Sequence, residues 1–173
     1  MIAPEFSVPV RIDTLGDRPR DIALSADAAQ RERLAARFGL VAIDRLDAQA
    51  AVRREGDAVF ADGRLEAAVV QSCIATGDPL PAKVETDFAL RFVPDTGIEG
   101  DEIELSEADL DTIPYAGGAI DLGEAVAEEL SLALDPFPRS AGADAALREA
   151  GVISEAEVRP VSALAQALKD KLK

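Results

Sequence analysis

The stretch AKVETDFALRFV, residues 82–93, alternates apolar and polar side chains along almost its whole length. Val84, Thr86, Phe88, Leu90 and Phe92 share one face, and Lys83, Glu85, Asp87 and Arg91 share the other. A period of two marks a strand with one face on a core and one in water. Residues 40–54 read the same way, through Leu40, Ala42, Ile43, Leu46, Ala48, Ala50 and Val52. The parity changes once, which predicts a bulge near Ile43 and Asp44. Residues 58–74 form a second long strand, with an interruption expected at Asp62-Gly63. Turns at Glu55-Gly56-Asp57 and at residues 77–81 join the three into an antiparallel meander, with closure towards a barrel open to it.

Outward from this sheet, residues 5–12 alternate as a strand, which Pro9 confines to an edge or a bulge. A shorter strand is expected at 21–24. Ser25 or Asp27 can cap a helix that runs to Phe38, with Gly39 where a left-handed C-terminal residue belongs. Arg31, Arg33 and Arg37 make that helix basic. A second helix starts at Asp121, with Glu124 three residues on. Leu122, Val126, Leu130 and Leu134 form its apolar stripe, Glu124, Glu128 and Glu129 are expected to point outward, and Asp135-Pro136-Phe137-Pro138 stops it. Between sheet and helix, residues 101–105 read as a short edge strand and 106–118 as irregular. Residues 140–160 are rich in Ala and Gly, with a short helix expected at 144–150. Residues 162–173 read as a terminal amphipathic helix with Leu164, Leu168 and Leu172 on one stripe and Lys169, Lys171 and Lys173 near its end. The fold class is therefore α+β: an antiparallel sheet carrying two main helices over residues 1–139, followed by a linker and helical extension over 140–173.

The 173 residues carry a net charge of -15, and residues 92–138 hold 13 acidic groups and no basic one. A field of that sign repels phosphate backbones and steers basic proteins inward. Histidine is absent, which removes the commonest general base and metal ligand. With a single cysteine, Cys73, neither an internal disulfide nor a structural zinc site is expected, and no cofactor is implied. Cys73 reads as a buried structural thiol in a strand. No apolar run is long enough to span a membrane and the first residues lack a secretory pattern, so a cytoplasmic protein is expected.

Two segments together resemble a known family. The first is VQSCIATGDPLP, residues 70–81, followed by the strand at 84–92. The second is IDLGEAVAEEL, residues 120–130, running on through Leu132-Ala133-Leu134 to Asp135-Pro136-Phe137-Pro138-Arg139. Their order and spacing, and the acidic connection between them, are similar to those of the YceD family, the bacterial large ribosomal RNA subunit accumulation proteins. The resemblance runs from the first strand to Arg139, and a short Leu/Lys segment also recurs near the end. It marks Cys73, Asp121, Leu122, Gly123, Glu129, Leu130, Asp135, Pro136, Pro138 and Arg139 as motif positions. Many members have a second cysteine where Thr76 stands here, which argues against a metal being essential to the shared role.

The resemblance implies a non-enzymatic part in accumulation of large-subunit ribosomal RNA and in ribosome assembly. The charge distribution adds an expected partner, a basic protein such as a ribosomal protein. Asp101, Glu102, Glu104, Asp109, Asp121, Glu124, Glu128 and Glu129 are the candidate contacts. One alternative is direct RNA binding through Arg31, Arg33, Arg37, Arg53, Arg54, Arg64 and Arg91. Another is a carboxylate-dependent metal enzyme built on residues such as Asp101 and Asp109.

Overall fold

The structure, a computed structural model, describes residues 4–95 and 112–152. The acidic run with Asp101, Glu102, Glu104 and Asp109, the edge strand expected at 101–105 and the helix expected at 162–173 lie outside the described residues.

The order of elements is β1 (Pro9–Arg11), a 3-10 turn (Ile12–Thr14), β2 (Arg20–Ser25), α1 (Ala28–Phe38), β3 (Ala42–Glu55), β4 (Ala58–Ser72), β5 (Pro79–Pro94), β6 (Thr112–Tyr115), β7 (Ala119–Asp121), α2 (Leu122–Ala133) and α3 (Ala143–Glu149). This is an α+β fold. Strands β2-β3-β4-β5-β6 form one sheet, and β1 and β7 pair separately. The ladder runs from β2 at one edge to β6 at the other, and among the described residues no pairing joins those two edges.

The meander is present as β3-β4-β5, antiparallel throughout, and its register shifts between Ile43 and Arg45, where the parity changed. Along the inner face Leu46, Val52, Val59, Leu65, Val69, Leu90 and Phe92 are buried. Asp62-Gly63 does not interrupt β4. Gly63 lies opposite Ala50 on one side and Phe88 on the other. A Cβ there would stand 2.4 Å from the Gln49 carbonyl oxygen and 2.5 Å from the Phe88 ring, so the glycine seats the ring. The sheet is mixed, because β6 pairs parallel to β5 inside a region expected to be irregular. Pro114 is accommodated there because β6 is an edge strand.

Both main helices form where expected and pack on the sheet. Asp27 and Gln30 cap α1 reciprocally, Gln30 N–H to Asp27 and Asp27 N–H to Gln30, each at 2.8 Å. Gly39 closes it at φ 65°. Leu34 and Ala35 face the core from α1; Leu122, Val126 and Leu130 do so from α2. The N-terminal strand is shorter than expected. Its Val10 faces Ile120 of β7, and Phe6 just before it is fully buried.

Candidate functional site

The motif positions fall into two connected junctions. The first ties the start of α2 to the chain before β1. The Asp121 carboxylate accepts hydrogen bonds from the backbone N–H of Val8 (2.9 Å), Gly123 (3.1 Å) and Glu124 (3.2 Å), and from the Ser7 hydroxyl (2.5 Å). It caps the helix and clamps a segment over a hundred residues away with the same two oxygens. Leu122 N–H donates to the Val8 carbonyl at 3.1 Å. Gly123 allows this approach: a Cβ there would stand 2.7 Å from the Phe6 carbonyl oxygen and 2.8 Å from the Val8 nitrogen. Leu122 and Leu130 are fully buried. This half of the motif therefore encodes a long-range backbone docking.

The second junction joins the turn after β4 to the exit of α2. Cys73 lies in that turn rather than in a strand. Its N–H donates to the Asp78 carbonyl, and its own carbonyl accepts from Gly77 N–H, both at 2.8 Å. Three bonds then cross to the exit. Gln71 Nε2 donates to the Asp135 carbonyl (2.8 Å), Ile74 N–H to the Pro138 carbonyl (3.0 Å), and Ser140 N–H to Cys73 Sγ (3.3 Å). Gln71 is 8% exposed, and this contact gives its amide nitrogen a partner. Asp135 turns the chain by accepting from Phe137 N–H, and Arg139 pairs with Asp144 at 3.3 Å. The chain after Arg139 is part of this junction, since Ser140 reaches Cys73 and Ala143 is buried.

Cys73 is buried, as expected, at 3% exposure. The Ser140 hydroxyl, the Thr76 hydroxyl and the Ser140 N–H all favour the thiolate, and they lower its pKa to about 6. The shift comes from these donors and not from solvent contact. Thr76 itself bonds to Asp78 at 2.7 Å and lies 3.4 Å from the Ser140 hydroxyl. Among the described residues no three His, Cys, Asp or Glu side chains gather as a metal-ligand cluster.

The expected charged contacts separate. Glu124 does not point outward: its Oε1 is 2.7 Å from Arg37, which also lies 3.0 Å from Glu5. The α2 start, α1 and the N-terminal segment thus meet at one guanidinium, whose pKa is raised chiefly by Glu124. Asp121 is spent on the clamp. Glu129 is half-buried and has an interaction of its own. Glu128 is exposed. The arginines are similarly engaged. Arg31 donates to the Ala26 carbonyl (2.6 Å) and Arg33 to the Glu5 carbonyl (3.0 Å). Arg53 pairs with Glu55 and Asp62, Arg54 with Asp57, and Arg64 with Glu85 and Asp87. Arg91 also has an interaction within the chain. Charge sign was visible in the sequence; the pairings of Arg33, Arg37 and Arg64, which join different segments, were not.

The model of one protein family, described as large ribosomal RNA subunit accumulation protein YceD, matches residues 61–166. The chain belongs to the YceD family. Searches of curated proteins and of solved structures returned no match. The matched span contains both junctions' α2 side and the whole Cys73 turn, while the first junction's N-terminal partner, residues 6–8, precedes it. Among the described residues no helix is long and apolar enough to cross a membrane.

Proposed function

We propose that this YceD-family chain supports accumulation of large-subunit ribosomal RNA as a non-catalytic cytoplasmic assembly factor, by contact with a basic protein partner such as a ribosomal protein. The observation that carries this reading is the unequal use of charge. The candidate arginines Arg31, Arg33 and Arg37 of α1 and Arg53 and Arg64 of the strands are bound to carbonyls and carboxylates of the same chain, whereas Glu128 stands exposed on α2. Binding a phosphate backbone needs clustered, available cations that can replace counterions. An exposed carboxylate on a strongly acidic chain instead favours encounter with a basic protein. The Cys73 sulfur is turned to Ser140 and Thr76 and is nearly inaccessible, which suits a structural thiol better than a nucleophile.

The test is a pull-down with the full chain at low and moderate salt, beside a Glu128→Gln variant. Glu124 is left intact because it holds Arg37. The wild type is expected to recover basic ribosomal proteins, less at moderate salt and least with the variant. Equal recovery by both proteins overturns the acidic-face reading. Salt-sensitive binding of ribosomal RNA by the purified chain, unchanged in the variant, overturns it in favour of direct RNA contact.

A further inference from the structure

The second junction borders a groove of about 580 Å³ whose apolar walls are Phe38, Leu40, Ile74, Leu132, Pro136 and Pro138. Of the five large apolar side chains exposed among the described residues, two line this groove and two more adjoin its lining residues in the chain. Ile74 (54% exposed) and Leu132 (79%) line the groove. Phe137 (70%) lies between its two prolines, and Val41 follows Leu40. Scattered exposed leucines are ordinary, but a cluster around a concavity marks a surface that something covers.

The charge around the groove selects what fits. Glu128 precedes Leu132 by one helical turn and so shares its exposed face. Asp135 lines the exit end. Arg37, the cation on the wall, is already neutralised by Glu5 and Glu124. The occupant should therefore be apolar along one side and basic.

We propose that the groove seats this chain's own stretch 160–173, PVSALAQALKDKLK. Its Leu164, Leu168 and Leu172 recur every four residues, and Lys169, Lys171 and Lys173 are interleaved with them. Such spacing presents three leucines along one side when helical. The tether reaches. Ser140 is bonded to Cys73 beside the groove, and the described chain continues through α3 to Val152. The residues from 152 to 164 can extend about 40 Å. A tethered segment also acts at an effective concentration on the order of millimolar, so three leucines and a few exposed ion pairs suffice. This seating does not depend on the proposed partner, and it places the stretch beside the Cys73 junction.

The test uses the purified full chain with the photoreactive analogue benzoylphenylalanine at position 132, which is exposed and lines the groove. Irradiation and peptide mapping are expected to give cross-links within monomers to a residue of 160–173. Leu168→Asp is expected to lower that yield about tenfold, as loss of one buried leucine should. No cross-link, links elsewhere in the chain, or a yield indifferent to Leu168→Asp overturns the proposal. Links only between two chains assign the groove to a second copy and overturn it. Irradiation in cells that gives links only to another protein assigns it to that partner and also overturns it.

Discussion

Helices α1 and α2 are nearly the same length, and each starts on an aspartate cap, yet the chain uses them in opposite ways. Helix α1 is a self-contained element. Its cap is closed by its own Gln30, its end by Gly39, and only Leu34 and Ala35 are buried. Helix α2 depends on distant segments at both ends and buries Leu122, Gly123, Ala125, Val126, Ala127 and Leu130. Its cap also holds residues 7 and 8, and the chain leaving it is bonded to the Cys73 turn. A helix of the first kind is specified by residues within a few positions of itself. One of the second kind is specified by where other segments arrive, so the same substitution should cost different amounts in the two.

The sharpest break of this contrast is Gly123→Ala. In an exposed helix, alanine for glycine would stabilise by up to about 1 kcal/mol. Here the new Cβ meets backbone atoms of Phe6 and Val8 that cannot rotate away. A loss of about 3 kcal/mol is expected from the urea midpoint, with release of the N-terminal segment seen as lost amide protection at Val8. A stabilised variant would show that the docking is not tight. Next in size is a pair of cap deletions. Asp27→Ala removes an ordinary local cap and should cost about 1 kcal/mol. Asp121→Ala also frees Val8 and Ser7, and about 2 kcal/mol is expected from the same unfolding measurement. Equal losses would remove the distinction between the helices.

Arg37 joins the two helices and probes the comparison from between them. It is about one-third exposed and its partners Glu5 and Glu124 slightly less so, so solvent discounts the pairing. Arg37→Ala should cost about 1 kcal/mol or less, and a double-mutant cycle with Glu124→Gln should return a coupling of about 0.5 kcal/mol. Additive losses in that cycle would mean the guanidinium and carboxylate do not share the contact.

The same distinction explains what the sequence disclosed. The period-two alternation of β3 and β5, the parity change at Ile43, the α1 cap and the left-handed Gly39 are all local, and each was readable from neighbours. Asp62-Gly63 read as a break because a glycine's effect depends on what lies across from it, here the Phe88 ring. Residues 112–115 read as irregular because Pro114 breaks most strands, and only its edge position beside β5 permits it. Glu124 read as a solvated carboxylate because composition gives a charge without its partner. The motif positions were recognisable as a pattern, but their physical reason was hidden. Asp121, Gly123 and Cys73 are fixed by backbone groups far along the chain, and backbone groups leave no mark in side-chain periodicity.

The last comparison concerns how the two helices end. The Gly39 N–H bonds to carbonyls of α1 itself, so that exit should be indifferent to pH near neutrality. The α2 exit rests partly on Cys73 Sγ, whose pKa is lowered to about 6, first by the Ser140 hydroxyl and then by that of Thr76. A free cysteine ionises near about 8.5. Between those two values the unfolded chain holds a proton that the folded chain has released, so stability from this contact rises with pH. It is absent below about 6, where Sγ is protonated in both states, and complete only above the unfolded value. Thiolate absorbance, followed during a pH titration of the folded chain, should show a midpoint near 6. Ser140→Ala should move it upward while leaving the backbone donor in place. Alkylation should stay slow even where the thiolate dominates, because only 3% of the residue is exposed. A midpoint at the free-cysteine value would mean that the Cys73 contact adds no pH-dependent stability, and the α2 end would then be no more sensitive to pH than the α1 end.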